Sequence, residues 1–205
     1  MTTANRVPLS VLDLATVRAG HSSADALRGT LEIAKTADQL GYARFWVAEH
    51  HNMPAVASTT PPVLIASVAA HTSAIRVGSG GVMLPNHMPF VVAEQFALLE
   101  AVHPGRIDLG IGRAPGTDQA TAAALRGVSP RLTVEQFPEH LQTVLALLGD
   151  ERIEAGPGTV VAAPDPAVTR GFEALEPGTR IVCVGATPAA DKQPFGEWIA
   201  DAANA

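Results

Sequence analysis

The sequence predicts an α/β fold built on a parallel sheet, and three observations carry that prediction. Four apolar, strand-like runs stand out, VPLSVLD (7–13), ARFWVAEHH (43–51), IRVGSGGVML (75–84) and GRIDLGIGRAPG (105–116). Helix-like stretches separate them, so that the runs recur every 30 to 36 residues, the period of a βαβ unit. Reactive or flexible residues gather toward the ends of the runs, where an α/β protein binds its ligand.

The elements follow in order. Val7 to Leu12 is a short apolar run suited to a buried parallel strand. Ser22, Ser23 and Asp25 can cap a helix reaching about Leu40, with Leu27, Leu31, Ala34 and Leu40 on one face and Gly41 as the stop. The second strand runs from Ala43 to Ala48. After a loop, Pro61-Pro62 opens a second helix. The third strand starts at Ile75, and Pro85 and Pro89 bracket a turn before a helix over 91–102. His103-Pro104-Gly105 closes that helix, and the fourth strand covers Arg106 to Ile111. Helices are expected over 120–125 and, opened by Thr-Val-Glu-Gln, over 133–148. Weaker strands are expected at 159–162 and 180–185, with a last helix over 195–203.

Bulk properties bound the function. A chain of 205 residues, 47% hydrophobic and 17% charged, suits one globular domain with a substantial core. The net charge of −6 comes from 20 acids and 14 bases, of which only Lys35 and Lys192 are lysines. No basic stripe is present, so nucleic acid is not an expected partner. The lone Cys183 excludes an intramolecular disulfide and fits a reducing cytoplasm. No apolar run approaches the ~20 residues of a membrane span, and the N-terminal MTTANRVPLS lacks the layout of a secretory signal. A soluble cytoplasmic protein is the expectation.

Three segments can carry chemistry. In AEHHN, Glu49, His50 and His51 follow the apolar Phe45-Trp46-Val47, at the end where a barrel strand delivers side chains to an active site. Histidine exchanges protons near neutral pH, and a neighbouring carboxylate fixes its tautomer. Two surface histidines in a loop are the alternative. A metal site is not expected, because adjacent strand side chains point to opposite faces and the spacings His-x-His and His-Glu-x-x-His are absent. Gly78-Ser79-Gly80-Gly81 marks either a bulge or a close approach, such as a flat aromatic ring against bare backbone. Gly110 to Gly116 (GIGRAPG) offers exposed amides and the guanidinium of Arg113 to a phosphate. Its spacing departs from the dinucleotide fingerprint, which leaves a Rossmann assignment weak. Trp46 and Cys183 read as core, His71 and His103 as helix-end residues, and Met83 and Met88 as core or pocket lining.

Taken in order, LSVLD, ADQLGYARFWVAEHHN, IRVGSGGVMLPNHMPFVVAEQFALLEAVHPGRIDLGIGRAPGTD and FPEHLQTVLALLGD resemble the bacterial luciferase-like monooxygenases. The resemblance implies a (β/α)8 TIM-barrel type of fold, here incomplete: one domain over 1–205, with a half-barrel in 1–150 and a divergent or truncated segment in 151–205. It implies reduced flavin mononucleotide (FMN) at the strand C-termini, supplied by a flavin reductase, with a deazaflavin as the lesser alternative. The ring would lie against Gly80 and Gly81, where relatives carry a non-proline cis peptide. His50 and Glu49 match the catalytic Glu-His-His motif, Arg113 the arginine that reaches the flavin phosphate, and Gly112 a position beside the ring. The implied activity is oxidation of a small organic substrate with dioxygen, in a homodimer or with a partner chain. A catalytically silent flavin-binding or interaction protein derived from a truncated barrel is the alternative.

Overall fold

The structure is a computed structural model that describes residues 8–127 and 135–149. Its sheet has four strands in the order β1 (Ser10–Asp13), β2 (Arg44–Val47), β3 (Arg76–Met83) and β4 (Ile107–Gly112). All three pairings are parallel. The crossovers are α1 (Ser23–Gln39), α2 (Pro61–His71) and α3 (Pro89–Val102), the last preceded by a 3-10 turn over Leu84–Asn86. α4 (Gln119–Arg126) and α5 (Phe137–Leu148) follow. Sequential parallel strands set side by side are the first half of a barrel-type sheet, as expected, with every strand C-terminus at one end. The weaker strands, the last helix and Cys183 lie outside the described residues.

The elements form where their end signals fall. Ser22 and Asp25 make a reciprocal capping box at the start of α1, and Gly41 follows its end with φ +74°. Pro61 and Pro89 open α2 and α3. The lower end of the sheet is tied by charge. The Asp38 carboxylate accepts the backbone N–H groups of Ser73, Ala74 and Ile75 at 2.7, 3.0 and 2.7 Å, fixing the entry to β3. Arg106 donates to the carbonyls of Ala69, Thr72 and Ile75, satisfying acceptors left open where α2 ends.

Alternation divides the sheet into two faces. Phe45, Val47, Val77 and Val82 are buried against the helices, with Ile65, Val68 and Phe96 in the same core. Leu12 and Trp46 turn to the other face, and Leu12 keeps 42% exposure. Trp46 is therefore half-buried against glycines rather than part of the helix-side core, contrary to the sequence reading. A Cβ on Gly78 would stand 2.7 Å from the indole Cζ3, and one on Gly80 would stand 3.1 Å from the Trp46 Cβ. The indole of Trp46 thus lies against the bare backbone of Gly78. The pairing of β3 with β4 also shifts register between Ser79 and Val82, so bulge and close approach are both present. The Gly80-Gly81 peptide bond is cis, as the resemblance implied. Among the described residues no helix is long and apolar enough to cross a membrane.

Candidate functional site

The strand C-termini are joined into one rim by hydrogen bonds between loops. Beyond β2, the His50 N–H donates to the Ser58 carbonyl at 3.0 Å, which folds the 52–60 loop back over the strand end. The His51 N–H donates to the Gly116 carbonyl at 3.1 Å, and Thr117 Oγ1 returns a bond to the His51 carbonyl at 2.8 Å. These two bonds lace the β2 and β4 loops together. Gly116 has φ +64°, and a Cβ there would stand 2.8 Å from the Glu49 carbonyl, so only glycine permits the crossing. Asn86 Nδ2 donates to the Pro115 carbonyl at 2.8 Å, attaching the segment after β3 to the same loop.

Glu49 lies inside this rim with 0% exposure. Its Oε1 accepts from His51 Nε2 and from His87 Nε2, each at 2.7 Å, and its Oε2 accepts the Met83 N–H at 2.9 Å. Burial pushes the carboxyl up, but the hydrogen bonds from His87, His51 and Met83 outweigh it and hold Glu49 below its ordinary value. Glu49 is therefore an anion with three donors. It bridges β2 to the end of β3.

The other expected site residues occupy the same rim. His50 is half-buried, and its Nδ1 is buried without a hydrogen-bond partner among the described residues. Arg113, just past β4, is exposed and makes no hydrogen bond or ion pair with the described residues. Gly112 closes β4 beside Met83, whose Sδ would stand 2.6 Å from a Cβ at that position. Gly80 and Gly81 lie one step deeper, against Trp46 and Leu12 on one side and the Gly110-Ile111 backbone on the other. His71 and His103 sit at helix ends, as read from the sequence. Met83 is buried, whereas Met88 is exposed.

Sequence reasoning missed His87. It follows the C-terminal end of β3, the same kind of position that singled out His50, so the signal was present. The expectation of no metal site rested on His50 and His51 pointing apart. It did not consider His51 meeting a histidine from the next strand. The ligand-type atoms of Glu49, His51 and His87 lie within 4.8 Å of one another. The 2.7 Å separations are those of hydrogen bonds, which account for the cluster without an ion.

An orphaned imidazole nitrogen and an unengaged guanidinium on one rim fit a ligand with a polar ring system and an anionic group, as FMN has. Parallel βαβ units bearing titratable and basic residues at their C-terminal ends define an α/β barrel-type scaffold. The family is more specific. The luciferase-like monooxygenase model matches residues 7–190, and the chain belongs to that family.

A luciferase-like monooxygenase of Escherichia coli (strain K12) is 53% identical over 120 residues, which are 58% of this chain and 36% of the relative. The solved structure of apo-MsnO8 superposes with a TM-score of 0.66 at 42% identity, over 78% of this chain and 48% of that one. The oxygenating constituent of 3,6-diketocamphane monooxygenase from Pseudomonas putida, solved in complex with FMN, shares the fold at 21% identity. Its TM-score is 0.60 over 77% of this chain and 44% of that one. The chain thus spans less than half the length of these relatives.

Proposed function

We propose that this chain carries the cofactor rim of a flavin-dependent monooxygenase that uses reduced FMN and dioxygen to oxidise a small organic substrate. The observation that carries the reading is the lacing of the β2 and β4 loops, which sets His50 and Arg113 on one rim. Arg113 holds the phosphate through charge-assisted hydrogen bonds. His50 offers Nδ1 to the polar edge of the ring system, and Gly112 leaves that approach free of a side chain. When bound, reduced flavin supplies the two electrons that let one oxygen atom enter the substrate while the other leaves as water. The residues bind and orient the cofactor and hold protons near it. A deazaflavin is the second cofactor compatible with the rim, and a reductase is the expected electron source.

Titration of the purified chain with oxidised and reduced FMN tests the reading. Saturable binding of reduced FMN, followed by substrate oxidation in the presence of a flavin reductase, is the expected result. Absence of binding at millimolar FMN would sink it. A second reading uses the same rim: a flavin-binding protein without turnover, or one that needs a partner chain. Binding without oxidation, in the presence of reductase, selects it.

A further inference from the structure

We propose that His87 is a further proton-accepting residue of this rim, and that Glu49 is its positioning residue rather than an acid–base group itself. The inference rests on the flavin-site reading for its consequence in turnover, and on geometry alone for the proton positions. One carboxylate oxygen, Glu49 Oε1, faces Nε2 of both His51 and His87 at 2.7 Å. The other, Oε2, is occupied by the Met83 N–H at 2.9 Å. Held as an anion by these donors, Glu49 has no proton to give and can only accept.

Both imidazoles therefore donate from Nε2 to the carboxylate, and in the neutral form of either ring Nδ1 is left as the lone-pair acceptor. The two rings differ in access. The His87 side chain is 32% exposed and that of His51 is 14% exposed. Neither Nδ1 has a hydrogen-bond partner among the described residues, and neither is among the buried orphaned atoms. The more open of the two, His87, stands beside Asn86, which is bonded to the β4 loop at Pro115, two residues past Arg113. A proton acceptor is thus presented beside the contact between the β3 and β4 ends, with its tautomer set by the buried Glu49 anion. Such a carboxylate–imidazole pair is a standard means of raising the basicity of a ring nitrogen toward its open side.

Glu49→Gln tests the geometry, because an amide cannot reproduce the pattern. If its oxygen faces the histidines, its NH2 opposes the Met83 N–H. If its oxygen faces Met83, its NH2 confronts both Nε2 atoms, and each ring must move its proton to Nδ1. Long-range 15N–1H spectra of the flavin-free protein report the tautomers directly. Wherever His51 and His87 are neutral, the wild type is expected to show them as Nε2–H tautomers. Glu49→Gln is expected to convert His87 to Nδ1–H or to release the Met83 amide, with the remaining amide spectrum retained. A wild-type His87 protonated on Nδ1 would overturn the inference. So would one equivalent of Zn2+ that shifts both Nε2 signals together, because the cluster would then be a cation site.

The second arm uses reduced FMN with a reductase. His87→Ala is expected to lower turnover by ~10² or more, in the range of general acid–base roles, while FMN affinity stays within about twofold, a difference of ~0.4 kcal/mol. Unchanged turnover would overturn the catalytic half of the inference. Absence of FMN binding by the wild type would remove the flavin-site reading and this half with it, and the tautomer spectra would still decide the role of Glu49.

Discussion

At the scale of single residues, glycine carries much of the specification, and its positions are not equivalent. A Cβ on Gly110 would collide with the Ser79 carbonyl, part of the β3–β4 pairing, which has little room to shift. At Gly112 the obstacle is Met83 Sδ at 2.6 Å, the far part of a flexible side chain. Gly110→Ala should therefore cost about 3 kcal/mol or more and Gly112→Ala about 1 kcal/mol, the two ends of the overpacking range. Urea unfolding of the two variants measures the difference, and equal midpoints would contradict the packing. The rim residues divide in another way. Arg113→Ala should weaken FMN by about 10- to 100-fold, the worth of a charged hydrogen bond, with turnover at saturation little changed. His50→Ala should leave binding largely intact and lower turnover by ~10² to 10⁴. Calorimetry and a reductase-coupled assay separate the two effects.

At the scale of elements, two buried or loop-bound acids fasten the strands. Asp38 closes the entry to β3, and Glu49 joins β2 to the end of β3. For both, burial pushes the carboxyl up and hydrogen bonds bring it below its ordinary value, the backbone N–H groups for Asp38 and chiefly His87 for Glu49. The sign follows from linkage. The stability they contribute is fully present above the unfolded values of 3.8 and 4.5 and is lost as pH falls through the lower folded values. Thermal melts from pH 7 to pH 3 should show this fall, and Asp38→Asn should flatten part of it while lowering stability at pH 7. The elements themselves were largely legible in the sequence. Apolar runs, prolines at 61 and 89 and the Ser22 cap placed every described strand and helix within a few residues. The site was less legible. His50, Gly112 and Arg113 could be placed on one rim from strand ends alone, but Glu49 pairing with His87 depends on loops 38 residues apart meeting in space. Trp46 was misplaced for a related reason. An indole in an apolar run reads as core until the glycines opposite it are seen to make room for it, half-buried, on the face away from the helices.

At the scale of the whole molecule, the described sheet is half of a barrel-type arrangement, and its two flanking strands differ from its two central ones. β2 and β3 have a paired neighbour on each side, whereas β1 is partly exposed along its length and β4 ends the strand order. Stability is unevenly distributed in such a layout, and amide exchange follows it. The amides of Phe45, Val47 and Val77 should exchange last, and those of Ser10 and Leu12 first among the strands. Hydrogen-exchange mass spectrometry checks this order. Uniform protection across all four strands would mean that β1 is covered by something outside the described residues.

The placement of Trp46 also has an optical consequence. The chain has two tryptophans, Trp46 and Trp198, and only the first lies in the described residues. Its indole rests on Gly78 and Gly80 beside the cis Gly80-Gly81 bond, in the strand whose end forms the proposed flavin rim. A flavin seated there would take up the indole's excited-state energy. Emission from Trp46 should then dim in proportion to occupancy, and Trp46→Phe should abolish most of that response. The fold would have placed a fluorescent gauge of its own ligand in the floor of the barrel.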